Sequence, residues 1–238
     1  MRIIGNLFNS SLGKKYTMAV TGCIMFLFLL GHMAGNLQIF FGRDVLNHYG
    51  HLLQSNPELI WPARIILLTV LGLHIWSAVR LTLENRAARG PVAYARHQPT
   101  AASYASRTMF VSGLIVFFFI VYHLLHFTFR APPEINLTGQ DFAQMRYTTA
   151  QGIEQHDVYN MMVAGFSNGW VSVFYGLGIG LLCFHLSHGI GAMFQSLGLK
   201  NEAYRRVLDI GAHVIALVIF LGYMSIPAAV LLGVVKPV

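Results

Sequence analysis

Long stretches without charged residues dominate the pattern along the chain. Lysine, arginine, aspartate and glutamate are absent from residues 16–42, 108–129, 158–199 and 210–235, and residues 59–79 contain only Arg64. A transmembrane helix needs about 20 predominantly apolar residues, so each stretch can hold one span. The pattern therefore predicts five transmembrane helices, at about residues 17–41, 60–83, 107–129, 169–196 and 208–233.

Composition favours a membrane protein over a soluble one. Hydrophobic residues make up 55% of the 238 positions and charged residues only 11%, against about 25% charged residues in an ordinary soluble domain. The mean hydropathy is +0.56. These values exclude a soluble globular enzyme and a disordered chain. We expect a single all-α integral membrane domain over residues 1–238.

The basic residues predict how the five spans are oriented. One side of the membrane receives residues 1–16, 84–106 and 197–207, and with the adjoining helix ends it collects 11 of the 16 basic residues. These are Arg2, Lys14, Lys15, Arg80, Arg86, Arg89, Arg96, Arg107, Lys200, Arg205 and Arg206. The other side carries six of the nine acidic residues. By the positive-inside rule the basic side and the N-terminus are cytoplasmic, and the C-terminus lies outside.

This asymmetry accounts for most of the net charge of +7. A nucleic acid partner is therefore not needed to explain the charge, whereas membrane lipid is an expected partner of the basic face. Residues 130–168 are predicted to form a polar outer loop, whose apolar part at 158–168 would lie along the membrane interface. Cys23 and Cys183 form no C-x-x-C or C-x-x-C-H motif, which excludes covalent c-type haem and a CxxC-type zinc or redox site.

Histidines inside the spans carry the functional signal. An imidazole is costly in hydrocarbon and indicates either a functional group or a group paired within the bundle. Seven of the 11 histidines lie in predicted spans: His32, His74, His123, His126, His185, His188 and His213. For any single one, a hydrogen bond to a neighbouring helix is the simpler interpretation, so the argument depends on the set.

Four of these histidines sort into two pairs by depth. From the rise of about 1.5 Å per residue, His32 and His123 lie about 24–26 Å from the cytoplasmic edge of the membrane. His74 and His185 lie about 20–23 Å from the outer edge, counted from the tryptophans that open their helices. Four helices thus supply one histidine each, at two levels.

Two neutral imidazoles that face each other across a bundle are the axial ligands of a six-coordinate haem iron. A zinc site requires three or four ligands at one depth. A proton relay usually includes intramembrane acidic residues, which the spans lack. The pattern therefore favours two stacked haems b within the first four helices. Nearby glycines, among them Gly31, Gly35, Gly72 and Gly189, would make room for a macrocycle, although Gly31-x-x-x-Gly35 and Gly176-x-x-x-Gly180 are also helix-packing motifs.

The other three histidines have different predicted roles. His126 shares a helix face with His123 but would lie one level too far outward, so His123 is the predicted ligand. His188 shares a face with His185 and lies nearer the cytoplasmic edge, where it would donate to a haem propionate. His213 has no partner at its depth and is predicted to be an interfacial or propionate residue.

The sequence resembles the cytochrome b558-type membrane subunit of succinate dehydrogenases and quinol:fumarate reductases, the single-subunit, five-helix, two-haem kind. The resemblance covers nearly the whole chain and is most specific around helices one and four. It rests on Ser11-Leu-Gly-Lys-Lys-Tyr-Thr-Met-Ala-Val-Thr-Gly22, Gly31-His-Met-Ala-Gly-Asn36, Phe166-Ser-Asn168, Phe184-His-Leu-Ser-His-Gly189 and Phe194-Gln-Ser-Leu-Gly198.

This resemblance implies four axial ligands and a set of partners. His32 and His123 would hold the distal haem, and His74 and His185 the haem proximal to an iron–sulfur subunit on the cytoplasmic face. A flavoprotein subunit with covalent FAD completes the implied complex, and the electron acceptor or donor is a membrane quinone of the menaquinone type. Some family members carry a glutamate two residues before the fourth ligand, and this chain has Cys183 there. The implied location is the bacterial cytoplasmic membrane.

Candidates for further contacts follow from depth and chemistry. Propionate partners would be Arg80, His188 or Lys200, because cationic donors suit carboxylates. A quinone site at the outer face would draw on Asn36, Gln38, His48, Glu58 and Arg64, with Glu58 as the group that exchanges protons with a quinol.

Other functions remain open at the level of sequence. The chain could be the di-haem cytochrome subunit of a formate dehydrogenase, a hydrogenase or a b561-type enzyme, although the motifs around His32 and His185 fit these poorly. A haem-free transporter or channel and a purely structural anchor are further alternatives. Haem content and the identity of the soluble subunits discriminate among them.

Overall fold

The computed structural model of the protein describes residues 8–88, 90 and 104–238. It is about 80% helical, so the predicted all-α class is confirmed. Arg2, Arg89 and Arg96, three of the basic residues that predict the orientation, lie outside the described residues.

Eight α-helices and two short strands make up the described chain. In chain order the first helices are α1 (Ser11–Asn36), α2 (Arg43–Gln54), α3 (Pro57–Ala88), α4 (Tyr104–His123) and α5 (Pro133–Asn136). After these come β1 (Arg146–Thr148), β2 (Glu154–His156), α6 (Val158–Ser167), α7 (Gly169–Ser196) and α8 (Arg205–Leu231). Helix α1 continues as a 3-10 turn at Leu37–Phe41, helix α4 continues as a π-helical turn at Leu124–Thr128, and a 3-10 turn at Phe142–Gln144 precedes β1.

Five helices are long and apolar enough to cross a membrane, and they confirm the five predicted spans. They occupy Ser11–Phe41, Pro57–Ala88, Arg107–Thr128, Gly169–Ser196 and Arg205–Leu231. Large apolar side chains on these helices face outward: Leu27, Phe118 and Leu177 each expose at least 60% of their surface. Such surfaces would promote aggregation in water, whereas in lipid they cost nothing, because hydrocarbon tails are as apolar as leucine.

The first span begins six residues earlier than predicted, because a charged residue can remain helical when its charge is paired. The Lys14 ammonium lies 2.7 Å from the Glu84 carboxylate of α3 and donates to the Asn9 carbonyl at 2.9 Å. Its side chain is almost completely buried. The helix therefore continues past the uncharged stretch that marked the predicted start.

The described residues divide into two compact units. Unit A comprises the described parts of residues 1–29, 64–113 and 184–216. Unit B comprises residues 30–63, 114–183 and 217–238. His74 and His185 belong to unit A, and His32 and His123 belong to unit B. The single membrane domain over residues 1–238 stays a prediction.

Residues 130–168, predicted to form a polar outer loop, contain folded elements that pack with α2 into a polar cap. The cap consists of α2, the antiparallel hairpin β1–β2 and α6, all within unit B, with α2 packed against β2 and α6. Asp157 joins these elements: its carboxylate accepts from Arg43 at 2.5 Å and from Asn47 at 3.0 Å. It also caps α6 by accepting from the Asn160 backbone N–H at 3.1 Å, as short polar side chains do at helix N-termini.

Helix α6 explains the apolar stretch that was predicted to lie along the membrane interface. Six of its ten residues are buried within the protein: Tyr159, Met161, Met162, Val163, Gly165 and Phe166. The stretch therefore packs into unit B, and its hydrophobicity does not require contact with lipid.

Candidate functional site

The imidazole of His74 on α3 is oriented by a hydroxyl group of α1. Its Nδ1 lies 3.1 Å from Thr21 Oγ1. Thr21 is buried and donates its own proton to the Thr17 carbonyl at 2.7 Å. The threonine oxygen is therefore left as the acceptor, and His74 Nδ1 carries the proton. A Cβ on Gly22 would lie 3.4 Å from His74 Cε1, so this glycine allows α1 to approach the ring closely.

His185 on α7 has a matching environment, built by α4. Its Nδ1 lies 3.2 Å from Ser112 Oγ, and Ser112 donates to the Met109 carbonyl at 3.1 Å. A Cβ on Gly113 would also lie 3.4 Å from His185 Cε1. His185 and His74 both belong to unit A, so the two matched imidazoles lie in the same compact unit.

These hydrogen bonds fix the tautomer of both rings. When Nδ1 donates to a hydroxyl oxygen, Nε2 keeps its lone pair, which is the form in which histidine binds a metal. Metal-binding histidines almost always use their second nitrogen in this way, because the bond orients the ring and raises its basicity. The donor set at His74 and His185 thus fits a pair of axial ligands.

His32 and His123 meet in unit B. Their ring centroids lie 5.7 Å apart, with the ring planes at 84°. This separation and angle are those of an edge-to-face ring contact, so the structure brings the two predicted ligands side by side. Tyr223 of α8 lies beside His32 with its ring centroid at 6.2 Å.

His126 lies in the same aromatic surroundings as His123. The side chain of His126 is fully buried, and its ring lies against Phe127 and Phe142 at centroid distances of 4.1 and 5.4 Å. Its Nδ1 lies 2.9 Å from the hydroxyl of Tyr175. Both histidines therefore contact Phe127 and Tyr175, and His123 also lies beside His32.

The candidate propionate residues lie in unit A. Lys200 pairs with Asp209 at 2.5 Å. His188 is half-buried and Arg80 is exposed. His213 is exposed, and its Nδ1 lies 2.6 Å from the Asp209 carbonyl one turn earlier in its own helix.

The residues predicted for a quinone site have different surroundings. Asn36 donates to the His32 carbonyl at 2.7 Å. Gln38 is half-buried, and His48 and Glu58 are exposed. Within the described chain, none of these four side chains hydrogen-bonds to another. Glu58 lines a recess of about 460 Å³ with Ser55, Asn56, Pro57 and Leu59, and Arg64 is exposed on α3.

Two of the glycines support helix packing rather than space for a cofactor. A Cβ on Gly35 would overlap the Tyr49 ring at 2.8 Å. A Cβ on Gly176 would contact Met224 of α8 at 3.4 Å. Both glycines therefore fit the helix-packing role of the two Gly-x-x-x-Gly motifs.

Sequence reasoning missed Thr21, Ser112 and Tyr175. A detectable signal was present for the first two: each is followed by a glycine, and each precedes a predicted ligand on its own helix by 11 residues. Helices α1 and α4 thus share the pattern of a hydroxyl residue, a glycine, nine residues and a histidine. This pattern is a short internal repeat.

Comparisons of the chain with protein-family models, with curated proteins and with solved structures find no match. Within the described residues, no three histidine, cysteine, aspartate or glutamate side chains form a group that could hold a metal ion.

Proposed function

We propose that the chain is the di-haem cytochrome b membrane anchor of a succinate:quinone oxidoreductase. The observation that carries the proposal is the matched environment of His74 and His185. Each imidazole donates through Nδ1 to a buried hydroxyl at 3.1 or 3.2 Å, and each lies against a glycine of the helix that supplies the hydroxyl. Two histidines that served only to pack separate helices would not be expected to share both the hydroxyl acceptor and the adjacent glycine.

The division of the four histidines supports two separate haem sites. His74 and His185 would hold one haem b in unit A, and His32 and His123 would hold the other in unit B. When bound, haem b supplies reversible one-electron transfer. The chain supplies the axial nitrogens, the hydroxyl groups that orient them and helices whose outward faces are apolar, so that water is excluded from the ligands.

The partners follow from the family that the sequence resembles. An iron–sulfur subunit, itself joined to a flavoprotein with FAD, would dock at the basic cytoplasmic face. A membrane quinone of the menaquinone type would react at the opposite face, in the bacterial cytoplasmic membrane. Lys15, Arg205 and Arg206 are among the basic residues of the proposed docking face.

A pyridine-haemochrome assay on the purified complex tests the haem sites. We expect about two haems b per chain in the wild type, since each pair of ligands holds one. We expect one haem in His32→Ala and one in His74→Ala, with redox titration showing that a different haem is lost in each. His51→Ala is the control, because His51 lies on α2, outside the five candidate spans, and it should retain both haems.

The proposal fails if the wild-type complex contains no haem, or if both ligand variants retain two haems.

The co-purifying subunits test whether the chain belongs to a succinate:quinone oxidoreductase. A flavoprotein with covalently bound FAD is expected. A molybdenum- or nickel-containing partner would instead indicate a formate dehydrogenase or a hydrogenase.

A further inference from the structure

Tyr175 of α7 connects two histidines of α4 and its continuation. Its hydroxyl oxygen lies 3.3 Å from His123 Nδ1 and 2.9 Å from His126 Nδ1. The phenol is 3% exposed, and the Phe166 ring lies edge-on to it at 5.0 Å. Water therefore cannot replace either hydrogen bond.

The direction of these two hydrogen bonds follows from the number of protons. A phenol has one proton to donate and can also accept. If His123 binds a metal through Nε2, its Nδ1 carries a proton and donates to the Tyr175 oxygen. The phenol proton is then left for His126 Nδ1, which is the shorter contact. The three groups form one directed chain, from His123 through Tyr175 to His126.

His126 is placed to be the last acceptor of this chain. Its ring stacks on Tyr122 at a centroid distance of 5.3 Å with an interplanar angle of 29°, and Phe127 and Phe142 lie against it. Among the described residues its buried Nε2 has no hydrogen-bond partner. The imidazole is thus held by its Nδ1 bond and by aromatic packing.

We infer that Tyr175 is a positioning residue for the His123 ligand, and that His126 orients the Tyr175 hydroxyl for this task. The inference rests on the proposed haem function. Thr21 and Ser112 perform the equivalent task for His74 and His185, but their protons go to backbone carbonyls of their own helices. At His123 a side chain takes the place of that carbonyl, so the orientation of the hydroxyl can be changed by mutation.

The inference predicts the redox behaviour of one haem. A hydrogen bond accepted from Nδ1–H makes the imidazole a stronger donor to iron, which favours the oxidised state. Tyr175→Phe removes the acceptor, so the midpoint potential of the haem held by His123 should rise while the other potential stays constant. The affinity for that haem should also fall by about 10–100-fold, as is usual when a group that orients a metal ligand is removed.

Variants of His126 distinguish a positioning role from loss of packing. His126→Gln keeps an acceptor, its side-chain carbonyl, and should retain the wild-type potential. His126→Leu keeps the apolar volume but no acceptor, and should shift the potential in the same direction as Tyr175→Phe. Tyr122→Phe is the matched control, because its buried hydroxyl has no hydrogen-bond partner in the described chain, and both potentials should be unchanged.

The measurement is a redox titration of the purified complex, with electron paramagnetic resonance of the two oxidised haems. An unchanged potential in Tyr175→Phe overturns the inference. Complete loss of one haem in both His126 variants also overturns it, because His126 would then be the ligand. These outcomes require a wild type with two haems, so they are distinct from failure of the proposed function, in which the wild type has none.

Discussion

Removing the hydroxyl of Thr21 should weaken one haem site and leave the other intact. Thr21→Val keeps the shape of the side chain, so no cavity forms. It removes the oxygen that lies 3.1 Å from His74 Nδ1. Thr21 is only 4% exposed, so water cannot take the place of the hydroxyl.

The expected size of this effect is that of one lost hydrogen bond, because the His74 imidazole also hydrogen-bonds to the backbone of Met18. A hydrogen bond within a protein contributes about 0.5–1.5 kcal/mol. Since about 1.4 kcal/mol corresponds to a tenfold change in an equilibrium constant, affinity for the haem held by His74 should fall by roughly 2- to 12-fold. Removal of groups that orient metal ligands in other proteins costs about 10–100-fold, which overlaps the upper end of this range.

The assay is transfer of haem from the detergent-solubilised complex to an excess of a haem-scavenging apoprotein, followed optically. Thr21→Val should release one haem faster than the wild type, and Ser112→Ala should accelerate release of the same haem, because the two hydroxyls orient the two ligands of one site. Thr21→Ser, which retains the oxygen, should behave like the wild type.

Thr17→Val is the matched control for a lost hydroxyl in this helix. Thr17 is buried one turn before Thr21, and its hydroxyl donates to the Gly13 carbonyl of its own helix at 3.1 Å. The reasoning is refuted if Thr21→Val and Thr17→Val release haem at the same rate. It is also refuted if Thr21→Val and Ser112→Ala affect different haems.

Three further predictions concern packing, pH and orientation. Gly178→Ala would place a Cβ 2.3 Å from the Phe119 ring, and overpacking of this kind should cost about 1–3 kcal/mol, seen as a lower midpoint of thermal unfolding. Burial lowers the pKa of His156 to about 4, whereas the unfolded chain binds the proton near pH 6.5. Stability contributed by neutral His156 is therefore complete above about pH 6.5 and is lost as the pH falls towards 4, and His156→Gln should flatten that loss in thermal unfolding at a series of pH values. With Ser55→Cys and Asn201→Cys, a membrane-impermeant thiol reagent should label the first from outside and the second only from the cytoplasmic side.

Each of these three has an outcome that would contradict it. Gly211→Ala is the packing control, because no atom lies within 4 Å of its Cβ position. An equal unfolding midpoint for the two alanine variants would show that the Phe119 ring can move aside freely. An unchanged slope with pH in His156→Gln would exclude this imidazole as the titrating group. Labelling of both cysteines from one side would require an even number of spans between them.

The five spans could be predicted because lipid imposes one rule on every residue of a crossing helix. Charge is excluded over about 20 residues, and the uncharged stretches mark the spans directly. The helix ends are less well predicted: α3 continues to Ala88, five residues past the predicted end. Outside hydrocarbon, charged residues such as Arg86 are compatible with helix, so their appearance marks the edge of the membrane and not the end of the helix.

The polar cap could not be predicted by the same rule. Helices α2 and α6 are 12 and 10 residues long, too short to span, and their apolar residues could equally face lipid or protein. Only the tertiary fold shows that Asp157 joins α2 to α6. Burial raises the pKa of Asp157, but hydrogen bonds from Arg43, Asn47 and Asn160 outweigh it, so the pKa lies below its usual value and the carboxylate stays charged.

The candidate ligands and the groups around them differ in how visible they are in sequence. A histidine inside a span is conspicuous because few residues of its kind are tolerated there. A threonine or serine in a span usually bonds to the carbonyl of its own helix, and Thr21 and Ser112 do this as well as accepting from histidines. Their second contact depends on a neighbouring helix. Tyr175 lies ten residues before His185 and carries no local signal of its role.

The π-helical turn after His123 gives its span one residue more than an α-helix of equal length. The Phe129 N–H bonds to the Leu124 carbonyl at 2.7 Å, five residues back. In an α-helix, His126 would lie only about 60° around the axis from His123. The wider turn carries it further around the axis. Deleting one residue here would restore an α-helix of about the same length, so the bilayer would still be spanned, yet it would rotate the second imidazole away from its present position. The number of residues in this span is therefore constrained by the direction of one side chain rather than by the thickness of the membrane.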